Sequence, residues 1–249
     1  MTDLLRASLG AWRRLRFRLW AVELGIRLRA AGGELRLEAP HGAVLEGRPS
    51  VKAYPQGDGT GVLTLRLGRG VAIGRDLAID LDARGTNEIS IGDDSLIMDR
   101  VRLILRSGAI ALGARCNIRD GVWLKSDGQL RLGDDIPIAQ NSMLHCVERI
   151  EFADFVGLAE RVTVLDSDHG FDGSDTYFRD QPLNIEPTTI DRNTFVAAGA
   201  VILRGSRIGR NCLVAANAVV RGGDYESGSM IAGIPGKIVA RRGAAANGD

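Results

Sequence analysis

The sequence predicts an all-β solenoid: a stack of triangular coils of short parallel strands, opened by a helix and broken once by a protruding loop. Three observations predict it. An aliphatic residue recurs every six positions, without a gap, at Ile190, Val196, Ile202, Ile208, Val214 and Val220. Aliphatic–small pairs also recur at coil-like intervals. Ile73-Gly74, Ile91-Gly92, Leu112-Gly113, Leu132-Gly133 and Phe152-Ala153 follow one another at steps of 18, 21, 20 and 20, and Ile190-Asp191 and Ile208-Gly209 resume at 18. Composition agrees, since 32 glycines and 5% aromatics among 249 residues suit a narrow core with many tight turns.

Residues 1–30 form the first element. Leu5, Leu9, Trp12, Leu15, Leu19 and Val22 fall on a helical stripe, with Arg13, Arg14, Arg16 and Arg18 as a basic face. The stretch Arg14–Leu19 also alternates like a strand, so that alternative stays open. A basic amphipathic helix can rest on an anionic membrane through residues 5–22. It can equally cover the open end of the stack, whose edge needs covering. Residues 31–66 read as an irregular β lead-in with strands at Glu34–Glu38 and Val62–Arg66.

Residues 67–240 carry the regular coils. A strand alternates faces, so residues six apart point the same way. Three six-residue sides then close a triangle, and triangles stack about 4.8 Å apart by parallel pairing. Ile73, Ile79, Ile91 and Ile97 share that phase, and the small residue after each aliphatic takes a bend where a Cβ would crowd. The register fails over about residues 166–188, which predicts a projecting loop. Pro235, in "IAGIPGKIVARR", cannot donate to a ladder and ends the stack, and residues 241–249 read as a disordered tail.

Charge and cysteine content narrow the function classes. Lys+Arg total 32 against 31 Asp+Glu, so nothing points to nucleic acid. Three cysteines without a CxxC pair indicate neither a zinc knuckle nor a disulfide framework. No apolar run reaches the roughly 18 residues of a membrane span. A reducing cytoplasm is the simplest compartment, with peripheral contact at the inner membrane face if the helix binds lipid.

The loop opens with "VLDSDHGFDGSD", which sets His169, one of only three histidines, among Asp166, Asp168, Asp172 and Asp175. "LDSDHGF", "IDRNTFVAAGAVILRGSRIGRNCLVAANAVV" and "GIPGKIVARR" resemble the hexapeptide-repeat acyltransferases of the left-handed parallel β-helix fold, in particular sugar and polysaccharide O-acetyltransferases. The resemblance is close over these last coils and loose over the earlier ones. It implies a left-handed helix and a homotrimer with each active site between two prisms. It further implies metal-free acetyl transfer from acetyl-CoA to a sugar or glycan hydroxyl, as in surface polysaccharide or lipopolysaccharide biosynthesis.

His169 is then the expected general base, because an imidazole is suited to moving a proton at neutral pH. A carboxylate can fix its tautomer; Asp166 and Asp168 are both candidates. The resemblance places acetyl-CoA along Ala198, Gly199, Ala216 and Asn217, with Arg221, Lys237 and Arg241 near its phosphates. The acceptor falls to Asn141, His145 and Phe195. Phe195 stands where relatives carry Trp, Ala197 replaces a Gly, and Ala139 replaces an Asn of relatives that take small sugars.

Other readings remain. An amino-sugar nitrogen could be the acceptor, or the chain could be a non-catalytic β-helix subunit of an assembly. "QNSMLHCVERIEFADFVGLAERV" also resembles the γ-class carbonic anhydrases around a zinc histidine at His145. That resemblance fails at Leu158, where a second ligand is expected, and a catalytic zinc needs three protein ligands.

Overall fold

A computed structural model describes residues 2–55 and 60–241, with side chains from residue 12 onward apart from residue 14. The chain opens with a helix, Thr2–Ala30, and then winds into a three-faced parallel β-solenoid. The first face stacks nine strands, from Gly33–Glu38 through Thr86–Ile91 and Arg149–Phe152 to Gly223–Tyr225. The second face runs from Val44–Leu45 to Ser229–Ala232, and the third from Ser50–Tyr54 to Val219–Val220. Each strand pairs in parallel with its counterpart one coil away, as Ile91 does with Leu112 and Ile118 with Ile138.

The six-residue period is explained by these pairings. Ile190, Val196, Ile202, Ile208, Val214 and Val220 take successive faces of two coils, and all are buried. Between faces the chain turns through one left-handed residue, which explains the corner composition. One column of such residues holds Asp94, Arg115, Asp135, Phe155, Asn193 and Asn211; another holds Arg100, Asn141, Arg161 and Asn217. Asn and Asp tolerate that conformation better than other side chains. Gly92 serves a different constraint, because a Cβ there would lie 2.5 Å from the Gly113 carbonyl carbon of the next coil.

Three sequence expectations change here. The segment 31–66 is not an irregular lead-in. Its strands Gly33–Glu38, Val44–Leu45 and Ser50–Tyr54 complete the first coil, in register with Gly61–Leu67, Ala72–Ile73 and Ala78–Asp82. The first interval was misphased: Ile73 lies on the second face, and the true counterpart of Ile91 is Leu67. That coil is 24 residues long, against 18 from Ile190 to Ile208, so, apart from the hairpin-bearing circuit from Phe152 to Ile190, the longest coils lie at the N-terminal end. Pro235 does end the parallel stack, but the chain then folds back as Lys237–Arg241, antiparallel to Ser229–Ala232. Arg241 therefore belongs to a strand, and residues 242–249 of the expected tail lie outside the described residues.

The helix covers the wide mouth of the first coil. Phe17, Trp20, Ala21, Leu24 and Leu28 point into the core, and the Trp20 indole donates to the Pro49 carbonyl at 3.2 Å. The stripe read from sequence is the opposite side of the helix. Trp12, Leu15, Leu19 and Val22 are exposed, while Leu5 and Leu9 lie outside the described side chains.

Candidate active site

The break in register is a β-hairpin at the third-to-first corner of the sixth coil. Ser167–His169 pairs antiparallel with Leu183–Ile185, and the Glu186 N–H closes the base on the Asp166 carbonyl at 2.9 Å. Gln181 folds the tip, accepting from the Asp172 N–H and donating to the Thr176 carbonyl. His169 lies at the outer end of the first strand, exposed, with its ring edge-on to Phe178 at 5.2 Å between centroids.

Neither candidate acid touches that ring. Asp166 is fully buried, and its carboxylate accepts the backbone N–H groups of Val147, Glu148 and Arg149, each at 2.8 Å. These donors form the same corner one coil earlier, so Asp166 pins the root of the hairpin to the solenoid. Asp168 accepts from Arg204 Nε at 2.7 Å and from Asn184 Nδ2 at 2.9 Å. Desolvation raises its carboxyl pKa, but the bonds from Asn184 and Arg204 outweigh that and hold it below the usual value. Asp168 is thus a clasp between the hairpin and the next coil. The expectation that Asp166 or Asp168 orients the imidazole is corrected: the oxygens of both point to other donors.

His145 lies one coil below the hairpin root, paired across the strands with Leu165 above and Lys125 below. Its Nε2 is 2.7 Å from Lys125 Nζ. An ammonium can only donate, so Nε2 accepts and the ring is neutral. Burial first, and then the Lys125 charge, pushes its pKa below the ordinary histidine value. Lys125, Asn184, Arg204 and Phe178 were not singled out from sequence, and only the coil register could have linked them to the histidines.

The remaining predicted residues divide between edges. Asn141, Ala198, Gly199, Ala216 and Asn217 line the second-to-third edge, at corners of the fifth, seventh and eighth coils. Gly199 has φ +71°, and a Cβ there would lie 2.3 Å from Asn217 Oδ1. Lys237 stands at the top of this edge, opposite Ala232. Two predicted neighbours are not on it. Arg221 sits at the third-to-first corner, and Arg241 pairs with Glu226 at 2.5 Å near the opposite edge of the second face. Phe195 faces outward on the second face, where it lines a 380 Å³ groove with Leu213, Met230 and Arg241. The chain therefore separates its histidine hairpin from its small-residue edge by the whole third face. Among the described residues, no group of three His, Cys, Asp or Glu side chains could hold a metal ion.

Comparison with known proteins agrees with the repeat. Residues 187–222 match the family model described as bacterial transferase hexapeptide (six repeats). A curated relative, "Probable acetyltransferase Rv3034c" of Mycobacterium tuberculosis, is 33% identical over 118 residues, which are 47% of this chain and 38% of that protein. The chain thus spans well under half the length of that relative. Among solved structures, the polySia-specific acetyltransferase NeuO superposes with a TM-score of 0.63 over 78% of this chain and 86% of its own, at 16% identity. That likeness shows the fold. The chain folds as a left-handed parallel β-helix of hexapeptide repeats, and its residues 187–222 match the bacterial transferase hexapeptide model.

Proposed function

We propose that the chain is an acetyl-CoA-dependent acetyltransferase acting on a hydroxyl of a sugar or glycan, with His169 as general base. The observation that carries this reading is the placement of His169. It stands exposed at the end of the hairpin that forms the longest break in the coil register, and neither ring nitrogen has a hydrogen-bond partner among the described residues. The matched hexapeptide segment follows directly.

The small-residue edge fits an extended thioester arm. Ala198 and Ala216 present only methyl groups beside the backbone, and Lys237 is exposed at the end of the edge to meet phosphate. Acetyl-CoA supplies the activated acyl group. His169 accepts the acceptor's hydroxyl proton as its oxygen attacks the acyl carbon, and returns that proton to the departing thiolate. General-base help of this kind is worth about 10²–10⁴-fold. The neutral His145, held by Lys125 beside the hairpin root, is available as a hydrogen-bonding partner for the acceptor.

Because hairpin and edge lie on opposite sides of the third face, we infer that they meet across copies of the chain in a homotrimer. Subunit mixing tests this arrangement. Each of His169→Ala and Lys237→Glu is expected to be impaired alone, and co-refolded mixtures to regain acceptor-dependent thiol release. Mixed assemblies with no recovery contradict a shared site.

A further inference from the structure

The helix Thr2–Ala30 is apolar on two opposite sides, and the fold buries only one. Trp12, Leu15, Leu19, Val22 and Ile26 follow one another at spacings of three and four, so they form a single line along the helix. Each remains between 45% and 64% exposed. The opposite line, from Phe17 to Leu28, is the one sunk into the solenoid mouth. Apolar grooves flank the outer line on both sides. One, of 620 Å³, lies between Val22, Phe17 and Leu37; the other, of 300 Å³, lies between Trp12, Leu19 and Leu45. The fold thus leaves a second apolar line of this helix in solvent.

Charge indicates what covers it. Residues 1–48 hold nine arginines, no lysine and five acids, a net +4, while residues 49–249 hold 23 basic and 26 acidic residues, a net −3. Arg18 and Arg29 flank the outer line and form no ion pair among the described residues. On the other flank, Glu23 is neutralised by Arg27 and Arg48. Two such ends meeting in a symmetric dimer would set like charges together. An anionic lipid surface complements both the charge and the apolar line. Among the described residues no helix is long and apolar enough to cross a membrane, and the line lies along one side of the helix, which suits contact in the plane of the surface.

We propose that the line Trp12–Leu15–Leu19–Val22–Ile26, with Arg18 and Arg29, docks the N-terminal end of the solenoid onto an anionic phospholipid bilayer. The apolar side chains enter the boundary below the headgroups, and the arginines stay at headgroup level. The hairpin, five coils along the stack, then stands roughly 24 Å from the docked end. This proposal is independent of the chemistry assigned to the hairpin.

Co-sedimentation of the full chain tests it, with phosphatidylcholine vesicles and with vesicles of phosphatidylcholine and phosphatidylglycerol in equal parts. Binding is expected to the mixed vesicles and to weaken with salt. Leu19→Asp with Val22→Asp is expected to abolish it, and Arg18→Ala and Arg29→Ala to weaken it roughly five-fold each. Melting temperatures should stay at the wild-type value, because these side chains lie outside the core. The proposal fails if the wild type leaves the mixed vesicles unbound at low salt, or if the Leu19/Val22 double variant binds them as well. It also fails if light scattering without lipid shows self-association that the double variant removes, since a second copy would then be the occupant.

Discussion

Replacing Asp166 by alanine separates a structural carboxylate from a catalytic one. The side chain is fully buried and accepts three backbone N–H groups, from Val147, Glu148 and Arg149, at 2.8 Å each. A hydrogen bond to a charged acceptor is worth about 1.5–3 kcal/mol, and an unmet buried donor costs a similar amount. Water entering the vacated corner recovers part of that, leaving a loss of about 3–6 kcal/mol. For a chain of this size, each kcal/mol lowers the melting temperature by about 2–4 °C, so a fall of roughly 10–20 °C is expected. Asp166→Asn keeps one acceptor oxygen and should fall between alanine and wild type. Circular dichroism melts give the shift, with thiol release assayed well below the transition. If Asp166→Ala melts like the wild type but loses turnover, Asp166 acts on the chemistry and the pinning role is wrong.

Four further outcomes are expected. His145 is held below its ordinary value, so between pH 6.5 and its folded pKa the unfolded chain binds the extra proton. Stability in urea should therefore decline as pH falls through that window, and His145→Gln should remove this part of the slope. Asp168 is also depressed, so its clasp contributes above the unfolded value of 3.8 and is lost only as pH falls through the lower folded value. The protection of the amides of residues 167–169, relative to their intrinsic exchange rates, should accordingly hold down to pH 4 and fall below it, while Asp168→Asn should lower it at neutral pH. Trp20→Ala removes a buried indole and its bond to Pro49, and a loss of about 3–5 kcal/mol should appear in urea unfolding. Gly199→Val sets a β-branched residue at φ +71° against Asn217 Oδ1, and a calorimetric loss of about 1–3 kcal/mol is expected.

The parts of the fold visible in sequence are those whose cause is local. The run from Ile190 to Val220 repeats because each inward aliphatic packs over the one a coil away, and coils of 18 residues keep that phase strict. The first coil escaped because its 28-residue circuit, from Leu35 to Leu63, is not a multiple of six, and the circuits of 21 and 20 residues after Ile91 shift the beat again. The hairpin announced itself as lost register. The roles of its acids did not, because Val147, Glu148 and Arg149 and the Asp168 partner Arg204 come from neighbouring coils. Arg204 lies 36 residues from Asp168, beyond the whole insertion. The helix shows a related limit. Both of its apolar lines have helical spacing, and only docking over the wide first coil decides which is buried. The resemblance gives Asn217 to the acetyl-CoA arm and Asn141 to the acceptor, and their left-handed corners are by themselves a sufficient reason for asparagine there.

The most direct test of the account is acetyl-CoA thiol release by the full chain over a panel of sugars, nucleotide sugars and oligosaccharides, comparing wild type with His169→Ala. The account predicts release that depends on a hydroxyl-bearing acceptor and falls about 10²–10⁴-fold in the variant. The melting temperature should not change, because the His169 side chain is exposed. Near-wild-type turnover by His169→Ala with a productive acceptor would contradict it.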